Sequence, residues 1–190
     1  MTSPRRKANY DDLCKVPEQF VAEIVDGELF ATPRPAPPHA RAGSAIGSVI
    51  FDRFDGPPRG DPEAPGGWWI LFEPELHLGS DVLVPDVAGW RRSRMQNLPK
   101  TAAFSDAPDW ACEVLSTSTT RLDREHKMPI YAREGVGHLW IVDPIARTLE
   151  VYRLESQRWI VASAHGGSER LRVEPFHAIE IDIGRWWIDS

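Results

Sequence analysis

The chain has 190 residues and a formal net charge of −6. That length suits one domain with one substantial core, and the acidic balance excludes a uniformly basic nucleic-acid binder while leaving room for a local basic cleft. Hydrophobic residues at 42% and charged residues at 26% are ordinary for a globular protein, no run approaches a membrane span, and Arg5-Arg6-Lys7 lead into no apolar stretch of a secretion leader.

The segment Met1 to Asn9 is polar and is expected to fray; residues 10–190 are expected to form one domain. From Tyr10 to Phe20 a helix-like spacing of Leu13, Val16 and Phe20 is interrupted at Pro17. The run Phe20 to Phe30 carries Asp26-Gly27 between two β-prone stretches, a strong hairpin signal. Thr32 to Pro38 holds four prolines and reads as a stiff connector. From His39 to Phe54 the apolar positions share one helical face, and Gly43 and Gly47 are expected to let that helix pack closely on a sheet. Asp55 to Gly67, dense in Pro and Gly, reads as a surface loop. Trp68 to Leu78 and Asp81 to Trp90 are strand candidates joined at Gly79-Ser80, and Trp110 to Leu115 is another.

The polar run Ser116 to Thr120 then leads into a helix from about Arg121 to Glu134, with Thr120 and Asp123 resembling a capping box. His138 to Val142 is a buried strand ended by Asp143-Pro144. Thr148 to Leu154 and Arg158 to Ala162 form a meander, and the tail to Trp187 alternates enough to add one or two strands. One α/β domain with a mixed sheet is the predicted architecture.

The chemistry concentrates on two carboxylates, Asp86 in Val84-Pro85-Asp86-Val87-Ala88 and Glu113 in Cys112-Glu113-Val114-Leu115-Ser116. Both lie inside apolar strand-like runs, where an ionised group loses hydration worth several kcal/mol (about the cost of an unpaired buried charge) unless a cation or strong donors face it. A divalent metal site is one reading; loop capping is the other. Magnesium favours an oxygen shell of this kind, activates water and stabilises phosphoryl charge. A lysine two residues past Glu113 would share its strand face, but Leu115 stands there. Lys127, on the following helix with Arg124 and Tyr131 along one stripe, is the replacement candidate; Pro129 should kink that helix or restart it, and a solvated helix face is the alternative.

The ordered series Glu23-Ile24-Val25-Asp26-Gly27-Glu28, His39, Pro85-Asp86-Val87-Ala88, Glu113-Val114-Leu115-Ser116, Lys127, Tyr131, Gly135-Val136 and Trp140 to Pro144 resembles the restriction-endonuclease-like bacterial family of the PD-(D/E)XK nuclease superfamily, over about Tyr10 to Leu154. The resemblance implies an α/β (α+β) restriction-endonuclease-like core, a mixed β-sheet flanked by helices with extra β-hairpins, and a Mg²⁺ or Mn²⁺ cofactor. It implies metal-dependent hydrolysis of DNA phosphodiester bonds, with Asp86, Glu113 and Lys127 catalytic, Glu23 as a further metal ligand beside Asp86 and Glu113, and His39 and Tyr131 accessory. His39 would contact a phosphate, orient Glu23 or cap its helix.

Arg91, Arg92, Arg94, Lys100, Arg121 and Arg124 are candidate phosphate contacts around an acidic body. The alternative is a catalytically degenerate nuclease fold that binds DNA or protein. Neither zinc spacing nor a nucleophile elbow is present. Cys14 and Cys112 form no metal-type spacing and Cys112 lies in an apolar run, so buried reduced thiol is the reading and a reducing cytoplasmic setting is expected. Trp186 and Trp187 are candidates for a homodimer contact.

Overall fold

The computed structural model describes residues 6–188. Asp26 and Gly27 both adopt positive φ, 53° and 82°, the geometry of the tight turn that matches strand twist. They close the hairpin of β1 (Phe20–Val25) and β2 (Glu28–Pro33). Of the segment expected to fray, Met1 to Arg5 lies outside the described residues. Ala8 N–H donates to Gly27 O at 2.8 Å, and Asn9 caps the short helix α1 (Tyr10–Leu13) with a capping box completed by Asp12. Helix α2 (Pro37–Phe54) opens on proline, tolerated there because a first-turn N–H has no helical partner. Ala42, Ile46, Ile50 and Phe54 recur at i, i+4 and are buried against the sheet.

Trp68 to Trp90 does not form one long hairpin. It divides into β3 (Trp68–Phe72), β4 (Leu76–Leu78), β5 (Asp81–Leu83) and β6 (Val87–Arg91). Pro74 and Pro85 lack the N–H that a continuous ladder needs, and Glu73 turns at φ 44°. The outer half, β4 and β5, joins β1 in a four-stranded sheet of order β2-β1-β5-β4; the inner half, β3 and β6, joins the central sheet. That central sheet runs β10-β9-β8-β7-β6-β3 with β7 (Trp110–Val114), β8 (His138–Asp143), β9 (Thr148–Glu155) and β10 (Arg158–Gly166). Only β7 and β8 pair in parallel there; a helical crossover joins them, as parallel neighbours require. A two-stranded pair, β11 (Arg170–Leu171) and β12 (Ile181–Asp182), closes the tail.

Period-two alternation divides the core. Trp110, Cys112 and Val114 face α2 and the tail, packed with Trp140, Phe176 and Trp186. Ala111 and Leu115 belong to the opposite cluster, with Ile130, Tyr131 and Ile141; Glu113, in phase with them, bonds to Tyr131. Trp186 and Trp187, proposed above as a dimer contact, are 1% and 5% exposed within this chain's own core. They close the first cluster and leave little surface for a second copy.

The crossover helix has three parts: α3 (Thr120–Leu122), a π turn over Asp123–Lys127, and α4 (Met128–Arg133). Met128 N–H donates to Asp123 O, five residues back. Pro129 has no N–H to give Glu125 and its ring crowds that carbonyl; a widened turn absorbs both problems without breaking the helix. Asp123 does not close a capping box. Its side chain turns inward, 3% exposed.

Candidate active site

The site lies where the two sheets part, at Val84-Pro85-Asp86. Val84 N–H donates to Glu23 Oε1 at 2.8 Å, and Val84 O accepts from Lys127 Nζ at 3.4 Å. Asp86 Oδ2 accepts from Val114 N–H at 2.7 Å, which ties the fork to the end of β7. Three segments distant in sequence thus meet through backbone groups that the fork leaves without ladder partners.

Lys127 is the centre of the cluster. Its Nζ lies 2.8 Å from Glu113 Oε1, 3.0 Å from Glu23 Oε1 and 3.4 Å from Asp123 Oδ1, with its side chain 2% exposed. Tyr131 O–H donates to Glu113 Oε1 at 2.5 Å. Burial pulls the Lys127 pKa down, but Glu113 and Glu23, with Tyr131 and Asp123 behind them, hold it well above the ordinary lysine value. Lys127 is therefore an ammonium, a donor and counter-charge rather than a base. Burial pushes Glu113 well above the carboxylate range, and the charges of Asp123, Asp86 and Glu23 add to that while Lys127 opposes it. Asp123 is raised for the same reasons, burial first. Burial also raises the Tyr131 phenol, with Glu113 next, so it stays protonated and donates.

Asp86 stands at the outer end of this group. His39, in the first turn of α2, places Nε2 3.2 Å from Asp86 Oδ1. Burial would lower the His39 pKa, but the Asp86 hydrogen bond and charge more than offset it and leave it raised. His39 Nδ1 is buried with no hydrogen-bond partner. A cavity of about 280 Å³ opens on these groups, walled also by Ser116 to Thr119 and by Arg34, whose Nη1 is 3.2 Å from Glu73 Oε2.

Of the residues singled out from sequence, Glu23, Asp86, Glu113, Lys127, His39 and Tyr131 are brought together. The arginines are not. Arg91, Arg92 and Arg94 lie at the far end of β6: Arg91 sits over Trp68 and Arg92 over Trp69, while Arg94 pairs with Asp109. Arg121 pairs with Glu125 on the helix surface, and Arg124 forms a two-pronged bridge to Glu150 on β9. Two participants were missed, Asp123 and Arg34. Asp123 carried a signal, its i, i+4 spacing to Lys127; Arg34 sits in the proline connector, where no periodicity marks a face.

Among the described residues no three His, Cys, Asp or Glu side chains are grouped to hold a metal ion; Lys127 Nζ occupies the point where Glu23, Glu113 and Asp123 converge. Nor is any described helix long and apolar enough to cross a membrane.

A mixed sheet crossed by one helical connection, with an acidic cluster at its fork, is the architecture of a restriction-endonuclease-like α+β protein. The chain belongs to the Uma2 family, described as "putative restriction endonuclease", whose family model matches residues 8–184. It is also similar to the crystal structure of a protein from Anabaena variabilis titled a putative nuclease belonging to DUF820, with a TM-score of 0.74 and 22% identity over 94% of this chain and 97% of that one. At that identity the likeness establishes the fold. No curated protein matches.

Proposed function

We propose that this chain is a metal-dependent nuclease that hydrolyses DNA phosphodiester bonds. The observation that supports it most is the Lys127 ammonium clamped at 2.8 Å and 3.0 Å between Glu113 and Glu23, beside Asp86 at the floor of an open cavity. Leu115, in the position expected of the superfamily lysine, is core; Lys127 reaches the carboxylates from the helix instead.

The donor chemistry fits Mg²⁺ or Mn²⁺. Glu23, Asp86, Glu113 and Asp123 offer only hard oxygen atoms, four carboxyl groups facing one ammonium and one histidine. Asp86 and Glu113 would hold the ion with Glu23 in support; when bound, it would supply an activated water and neutralise phosphoryl charge. The protein's own groups do the rest. Lys127 donates to the attacking water or to the phosphate oxygen, Tyr131 fixes Glu113, and His39 fixes Asp86. Free Cys14 and Cys112 suit a reducing, cytoplasmic setting.

Plasmid cleavage with Mg²⁺ or Mn²⁺ tests the reading. Asp86→Ala and Lys127→Ala should each lose about 10²–10³-fold, the scale of removing one charge-stabilising group; activity that survives both rejects the assignments. One observation favours a second reading, a degenerate site used for binding: Lys127 already fills the point that an ion would share. Calorimetric Mn²⁺ titration separates them, since a degenerate site takes up no ion at millimolar concentration.

A further inference from the structure

The carboxylate cavity does not end at Asp86. A second recess of about 220 Å³ adjoins it, sharing Pro35, His39, Glu73 and Asp86 and otherwise walled by Ala40, Gly43, Ser44 and Phe72. Phe72 ends β3, the edge strand of the central sheet, and stays 50% exposed.

Two glycines on α2 shape this wall. A Cβ on Gly47 would lie 1.9 Å from Phe72 Cε1, 2.5 Å from Cζ and 2.9 Å from Cδ1. Phe72 therefore packs against the bare helix backbone at Gly47, and half of its surface remains open to another planar group. A Cβ on Gly43, one turn earlier, would meet nothing within 4 Å; it borders the recess itself. Both glycines cost helix stability, yet only Gly47 has a neighbour that explains it. Arg34 lines the main cavity and, although paired with Glu73 at 3.2 Å, keeps its side chain 58% exposed, while the arginines at the far end of β6 are held by Trp68, Trp69 and Asp109. A duplex, which binds through many phosphates at once, finds no cationic track here. A single unpaired nucleotide finds a cation for its phosphate and an aromatic face for its base.

Resting on the nuclease reading, we infer that the Phe72 recess receives an unpaired base next to the scissile phosphate, so that the substrate is single-stranded DNA or the single-stranded part of a flap. Stacking on an aromatic side chain contributes enough per base to change affinity by about tenfold or more and tolerates any sequence.

The test is fluorescence-anisotropy binding of a short labelled single strand and of its fully paired duplex, without divalent ion, with cleavage of both strands followed separately in Mn²⁺. Wild type should bind and cut the single strand at least about tenfold better than the duplex, on the stacking estimate above. Phe72→Ala should lose that preference and Phe72→Tyr should keep it. Gly43→Leu should also lose it while holding or raising Tm, because leucine favours the helix and its side chain fills the recess. Unfolding therefore cannot explain the loss. Equal binding of single strand and duplex, or a preference unchanged in Phe72→Ala, overturns the recess while leaving the nuclease reading standing. Phe72-dependent binding with no cleavage in any divalent ion keeps the recess and overturns the nuclease reading. Neither binding nor cleavage by wild type overturns both.

Discussion

Replacing Lys127 by methionine keeps the side-chain volume and removes the charge. Three carboxyl groups within 3.4 Å of Nζ then lose their common counter-charge at positions no more than 4% exposed. Breaking a buried ion pair costs about 3–5 kcal/mol, which in a chain of this size lowers Tm by roughly 6–20 °C. The same substitution frees the convergence point for another cation. In wild type an added ion competes with the ammonium for the oxygens; in Lys127→Met it has no competitor. An ion at a hundred times its Kd stabilises by about 2.7 kcal/mol, so saturating Mn²⁺ should recover much of the loss and raise the variant's Tm by more than the wild type's. Differential scanning calorimetry of EDTA-treated protein, with and without Mn²⁺, reads both effects. A variant that melts at the wild-type temperature would refute the clamp. Equal Mn²⁺ stabilisation of the two proteins would refute the idea that ion and ammonium share carboxylates.

Tyr131→Phe deletes the hydroxyl that donates to Glu113; a hydrogen bond to a charged group contributes about 1.5–3 kcal/mol, and guanidinium unfolding should show that loss with an unchanged slope. Gly27→Ala forces φ 82° on a residue with a Cβ and crowds Lys7 at 2.9 Å, so the urea midpoint should fall by about 1–2 kcal/mol equivalent. For salt dependence, Arg34→Ala should reduce the slope of log affinity for a labelled DNA single strand against log salt by roughly 0.7, the increment for one lost phosphate contact. Arg91→Ala and Arg94→Ala should leave that slope unchanged; a reduction there would place DNA at the far end of β6.

The sequence carried the signals whose cause is local. Asp26-Gly27 specifies its turn, the apolar stripe of α2 specifies the face that packs, and alternation along β7 separates Glu113 from Cys112 and Val114. The division of Trp68 to Trp90 was harder to read. Pro74 and Pro85 were visible, but a proline reports only a missing N–H, not that the strands on either side will enter different sheets. That outcome depends on Ile24 pairing with Val82 and Val87 with Cys112, contacts between segments far apart in the chain. The buried tail tryptophans were misread for the same reason: near a terminus, nothing local distinguishes an aromatic that closes a core from one that meets a partner.

The clamp on Lys127 depends on how the helix around it sorts the two neighbours that its spacing offers. On a regular helix Arg124, Lys127 and Tyr131 form one stripe, and that stripe would set a cation beside the ammonium. In that regular geometry Arg124 at i−3 and Asp123 at i−4 both flank Lys127; a π turn, with more residues per turn, rotates residue 124 away and leaves residue 123 as the neighbour. Arg124 is carried outward to Glu150 on β9, and Asp123 is carried inward to Lys127. Turning the repulsive neighbour away leaves Asp123 as a third carboxyl group beside Lys127. Pro129, which interrupts a continuous helix over Lys127, is on this account what turns Arg124 away from the acidic site.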